Sequence, residues 1–91
     1  MSRHYFFVHR SWDPAQIDFR CPIGAVSVAQ STSLEVMRHA WLKARRRFPC
    51  RPREVLMLDE VRDASHCQQA RMMERDWERA FADFKKLMTV N

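Results

Sequence analysis

SHCQQARMMERDWERAFADFKKLM, residues 65–88, carries apolar side chains at Ala70, Met73, Trp77, Ala80, Phe84 and Leu87. The spacing alternates between three and four, the period of a helix face that buries itself. One amphipathic helix is therefore expected over 65–88. A capping-box pattern at Ser65-His66-Cys67-Gln68 opens it, and Lys85 and Lys86 complement the dipole of its last turn. At 1.5 Å per residue this helix would be roughly 35 Å long. A compact domain of this chain length is only about 25–30 Å across. One end of the stripe is then expected to outrun its own core, with Trp77, Phe81, Phe84 and Met88 closing a homodimer.

Upstream of that helix, Val55-Leu56-Met57-Leu58 is a short continuous apolar run flanked by charges. Such a run suits a central strand buried on both faces. Thr32-Ser33-Leu34-Glu35 is another capping box, and a helix is expected from there to about Phe48, where Pro49 stops it. Its apolar stripe reads Leu34, Met37, Trp41, Ala44, Phe48. His4 to Arg10 is aromatic and β-branched and reads as a strand, closed by the turn signal Ser11-Trp12-Asp13-Pro14. Ile17, Phe19 and Cys21 alternate with Asp18 and Arg20 and read as a second strand, which Pro22 and Gly24 break. Val26 and Val28 suggest a short continuation. The result is an α+β domain of order β-β-(β)-α-β-α, with two amphipathic helices packed on a small sheet and the C-terminal helix long. A single domain over 1–91 is expected.

Hydrophobic residues make up 46% of the chain and charged residues 30%, a globular balance that excludes intrinsic disorder. Sixteen bases face eleven acids, thirteen of the bases are arginine, and the formal net charge is +5. That excess favours an acidic protein surface, nucleic acid or anionic lipid. No stretch approaches the apolar length of a membrane span, and the start Met1-Ser2-Arg3-His4 lacks the pattern of a signal peptide. With three cysteines, Cys21, Cys50 and Cys67, and no close pair, a cytoplasmic protein with free thiols is expected.

The basic residues cluster. No acid lies between Glu35 and Glu54, whereas Arg38, Lys43, Arg45, Arg46, Arg47, Arg51 and Arg53 all do. On a helical wheel Arg46 and His39 sit opposite the apolar stripe, flanked by Lys43 and Arg47. Leu42 projects onto this basic face, and Met72 onto the polar face of the last helix. Either could be an exposed single residue or an anchor in a partner interface, as could Trp12 in the first loop.

Chemistry-bearing constellations are weak. No close Cys-x-x-Cys or His-x-x-x-His pair exists, so no metal is expected, and His4 and His9 should point to opposite faces of one strand. Asp59 and Glu60 follow the expected central strand with Asp63 nearby, but acids there are more often turn formers and caps. A chain with one glycine cannot build a glycine-rich phosphate loop. No enzyme and no cofactor are expected.

The leading expectation is a small non-enzymatic interaction protein, a homodimer that modulates or inhibits a partner with an acidic surface. Partner contact is assigned to Leu42, Arg46, Arg47, Lys43, Arg38 and Met72. The alternative is nucleic-acid binding, with the arginine-rich first helix on phosphates. Size, arginine bias and the missing catalytic signature are those of small accessory proteins of bacteria, phages and plasmids, a class expectation that no motif carries.

Overall fold

The run Tyr5-Phe6-Phe7-Val8 lies in β1 (His4–Ser11), and its residues Phe6, Phe7, Val8 and His9 are buried in succession. Burial of consecutive residues means that both faces of the strand are covered. A computed structural model, which describes residues 3–18, 20–76 and 86, supplies the cover. β1 pairs antiparallel with β2 (Gly24–Val28) on one side and with β3 (Val55–Glu60) on the other. Sheet order is β2-β1-β3, so the central strand is β1. The expectation that Val55–Leu58 forms the central strand is corrected: β3 is an edge, with Val55 exposed and Met57 and Leu58 half-buried. A short apolar run does not distinguish a central strand from an edge strand that leaves part of its surface open.

Residues 17–21 do not form a strand. Asp18 dictates a turn there: its Oδ1 accepts the Arg20 N–H at 2.9 Å, and its carbonyl accepts the Cys21 N–H at 3.1 Å. Aspartate turn chemistry overrides the alternation read at Ile17 and Cys21; Phe19 lies outside the described residues. A short 3-10 turn (Pro14–Gln16), capped by Asp13, precedes it. The suggested continuation at Val26–Val28 is the true second strand, and the order is β-β-α-β-α.

Helix α1 (Ser33–Arg47) joins β2 to β3, which run parallel on either side of β1. Thr32 caps it through Oγ1 on the Glu35 N–H at 3.3 Å. The reciprocal half of the expected box is absent: Glu35 turns to His39 at 3.1 Å. Phe48 ends the helix before Pro49, its N–H on the Ala44 carbonyl. The face α1 buries is Val36, Ala40 and Ala44, set against Phe6, Val8, Val26, Val28 and Leu56. The stripe read from sequence is one flank of that face, with Leu34 77% exposed and Met37 39% exposed. Two alanines at the contact let the helix axis approach the sheet, and the larger Trp41 and Phe48 wedge in beside them.

Helix α2 (Ala64–Arg75) packs on the opposite face, where Ala70 and Met73 meet Phe7 and Ala25. Its N-cap is Asp63, whose Oδ1 accepts the Ser65 N–H at 3.0 Å, so the box read at Ser65–Gln68 is displaced by two residues. The expectation of one helix over 65–88 is also corrected. Asp76 is extended (φ −146°, ψ 92°) and its N–H closes on Met72. Aspartate is a poor helix-interior residue, and its charge opposes the negative end of the dipole. A helix of 12 residues is roughly 18 Å long, too short to outrun the domain. The proposed dimer residues Trp77, Phe81, Phe84 and Met88 lie outside the described residues, so the overlength argument no longer supports a dimer through them. Among the described residues no helix is long and apolar enough to cross a membrane.

Candidate functional site

The outer edge of β2 is where the basic residues converge. Val61 N–H donates to the Tyr5 carbonyl at 2.9 Å, which makes Tyr5 and Val61 a hydrogen-bonded pair. By antiparallel alternation, β1 bonds β3 through its odd-numbered residues and β2 through its even-numbered ones. Gly24, Val26 and Val28 thus face β1, and Ala25 and Ser27 turn their peptide groups outward. Lys43 of α1 donates to the outward Ser27 carbonyl at 2.6 Å. The same ammonium lies 3.8 Å from Glu74 of α2. Arg47 donates to the Glu74 carbonyl, its guanidinium 6.0 Å from the Phe48 ring centre. Arg3 donates to Ser27 Oγ at 2.9 Å. Both helices are thus strapped across the strand edge by cations.

Around these straps lie two open cavities that meet at Arg3 and Ser27. The one beside α1, about 500 Å³, is lined by His39, Leu42, Lys43 and Arg46. The one beside α2, about 440 Å³, is lined by Tyr5, Arg71, Glu74 and Arg75. Arg71 donates to the Tyr5 hydroxyl at 3.3 Å and sits over its ring at 5.9 Å. Leu42 stands 45% exposed in the first cavity, an apolar side chain that shares its lining with Arg3, Lys43 and Arg46 and with Val28 and Ala29.

The sequence-read site therefore divides. Leu42, Lys43 and Arg46 come together, and Arg38 is exposed on the same helix. Lys43 and Arg47, both exposed, each bond a backbone carbonyl of their own chain, which makes them structural straps as well as candidate partner contacts. Met72 is half-buried, packed against the Phe7–Met73 cluster. Trp12 is 78% exposed, past the opposite end of β1. Arg3, Arg71 and Arg75 belong to the surface and were missed. Arg71 and Arg75 share a helix face by their i,i+4 spacing, a signal present in the sequence. Glu74 turns to α1, and Glu78, Arg79 and Asp83 lie outside the described residues.

The remaining titratable groups are dispersed. His4 faces Glu60 at 3.7 Å, and His66 holds Asp63 at 2.7 Å with its ring edge-on to Phe7. Asp63 is held below the usual carboxylate range by the Ser65 N–H first and His66 second. Asp18 is held low by the Arg20 N–H and then its guanidinium. Asp59 and Glu60, adjacent on a strand, face opposite sides, so they form no carboxylate pair. Cys67 is half-buried, its thiol 3.6 Å from the Val61 carbonyl, and Cys21 and Cys50 are exposed. Among the described residues no group of three or more histidine, cysteine or acidic side chains is placed to hold a metal ion. His9, 1% exposed, is held below the ordinary histidine range by burial; the Asp59 carboxylate and the backbone at Asp18 oppose that shift.

Comparison of the chain with protein-family models, curated proteins and solved structures finds no match.

Proposed function

We propose that this is a non-enzymatic interaction protein that docks an acidic protein surface over the β2 edge and thereby modulates or inhibits that partner. The observation that carries the reading is Leu42, 45% exposed in a cavity that Arg3, Lys43 and Arg46 line together with Val28, Ala29 and Gln30. An apolar anchor within a positive field suits a carboxylate-rimmed protein patch, where the charges steer encounter and the anchor supplies affinity. Three free thiols fit a reducing cytoplasmic setting.

One observation favours nucleic acid as a second reading. Arg46 of α1, Arg71 and Arg75 of α2, and Arg3 just ahead of β1 line joined cavities, with the Tyr5 ring among them. That arrangement also suits phosphates and a stacked base.

The experiment is capture from a native lysate on the immobilised chain, with and without nuclease, against Leu42→Glu and against Arg46→Gln combined with Arg71→Gln. Capture that resists nuclease and is lost in Leu42→Glu supports the protein partner. Binding of a generic DNA duplex at physiological salt, with a salt slope that flattens by about one unit per arginine removed, replaces it with the nucleic-acid reading.

A further inference from the structure

The two edges of the sheet are finished differently. On β2 the outward Ser27 carbonyl is closed by Lys43, and both helices crowd the strand, all five of whose residues are buried. On β3 the same alternation turns the peptide groups of Leu56, Leu58 and Glu60 outward. Among the described residues no hydrogen bond reaches those outward groups. β3 holds no proline or lysine, and its charged residues, Asp59 and Glu60, are confined to its last two positions. The neighbouring flank of α1 is open as well. A cavity of about 590 Å³ lies between Trp41, Phe48, Val55 and Leu56, and Val55 is itself 37% exposed.

We infer that β3 is a self-association edge, on which β3 of a second copy of this chain pairs antiparallel about a two-fold axis at Leu58, joining two sheets into one of six strands. This goes beyond the reading of the β2 surface and is independent of it, since the two edges lie on opposite sides of β1. The choice of occupant rests on charge. Outward-facing residues must bond outward-facing residues, which leaves few registers. An axis at Met57 sets Glu54 against the partner's Glu60. An axis at Asp59 or Glu60 sets like carboxylates directly opposite. An axis at Leu56 places Glu60 against the partner's Pro52, which has no N–H to give to the ladder. An axis at Leu58 sets Glu54, which in its own chain accepts the Arg51 N–H and lies 3.6 Å from Arg10, against the partner's Arg62, and Val55 against the partner's Val61. Both ends of the pair are then complementary and no like charges meet. Arg62 stands at the edge itself: its side chain is 86% exposed and pairs with Glu60 of its own chain at 3.8 Å, an exchange partner for the intermolecular contact.

The test uses the full chain at micromolar concentration. Sedimentation equilibrium is expected to give twice the monomer mass, and hydrogen exchange at Leu58 and Leu56 is expected to slow as concentration rises. Arg62→Glu, an exposed substitution whose fold is checked by circular dichroism, is expected to weaken the dimer about tenfold, because two symmetric pairs turn repulsive. Adding Glu54→Arg to it is expected to restore association. A monomer at high concentration overturns the inference. So does a dimer indifferent to Arg62→Glu with Leu58 exchanging freely, which would place association elsewhere, for example at residues 77–91. Protection of Leu58 in a monomer also overturns it, because the chain's own segment would then occupy the edge.

Discussion

The ammonium of Lys43 and the carbonyl of Ser27 meet at 2.6 Å across the outer edge of β2. A lysine that sequence reading assigns to a partner thus completes the sheet of its own chain. Its neighbour Arg46, one turn on, lines the same cavity. The pair gives a direct separation of structural from binding charge.

Lys43→Met is expected to lower stability by about 1 kcal/mol, the net worth of a charge-assisted bond with one partly exposed end. Arg46→Gln is expected to stay within about half a kcal/mol of the parent. Urea unfolding of both checks this; equal effects would mean that the strap is not structural.

Gly24 begins β2 beneath the Phe48 ring, and a Cβ there would come within 2.8 Å of Phe48 Cε1 and closer still to Cζ. Gly24→Ala is expected to cost about 1–3 kcal/mol by overpacking. Part of that loss should return when Phe48→Leu is added, read by thermal melting of the single and double variants. A neutral Gly24→Ala would show that the ring moves aside freely.

Met73 and Leu34 are comparably large apolar side chains on two helices, one 1% exposed and the other 77% exposed. Met73→Ala is expected to cost about 2–5 kcal/mol, and Leu34→Ala less than about half a kcal/mol. The reverse order, by denaturant midpoints, would restore Leu34 to the buried face where its spacing places it.

Burial holds His9 below the ordinary histidine range, so the unfolded chain binds this proton more readily than the folded chain does. Stability then rises with pH through this group. Its contribution is full above about pH 6.5, the unfolded value, and declines as pH falls below it. His9→Phe is expected to flatten stability against pH in that acid window without flattening it above pH 7. A ring titration by nuclear magnetic resonance at or above 6.5 would remove the basis for this expectation.

Much of the architecture was legible along the chain. The β1 run His4–Arg10, the Thr32 cap, the stop at Pro49 and the strand at Val55–Leu58 are local signals, set by side-chain shape, capping hydrogen bonds and the missing proline N–H. So was Leu42 among cations, because helical periodicity alone places it there. Three readings failed for one reason: periodicity describes a segment without its neighbours. It made Ile17–Cys21 a strand although Asp18 closes a turn, gave α1 a stripe rotated from its true contact, and ran α2 on past Asp76. Which strand is central, which edge is covered and which arginines share a surface depend on contacts between residues far apart in the chain. Arg3 meets Ser27, Lys43 meets Ser27 and Arg47 meets Glu74 only once α1 and α2 have taken opposite faces of the sheet. Local propensity determined the elements; the closing of two helices around β2, and not β3, decided where charge gathers and which edge is left uncovered among the described residues.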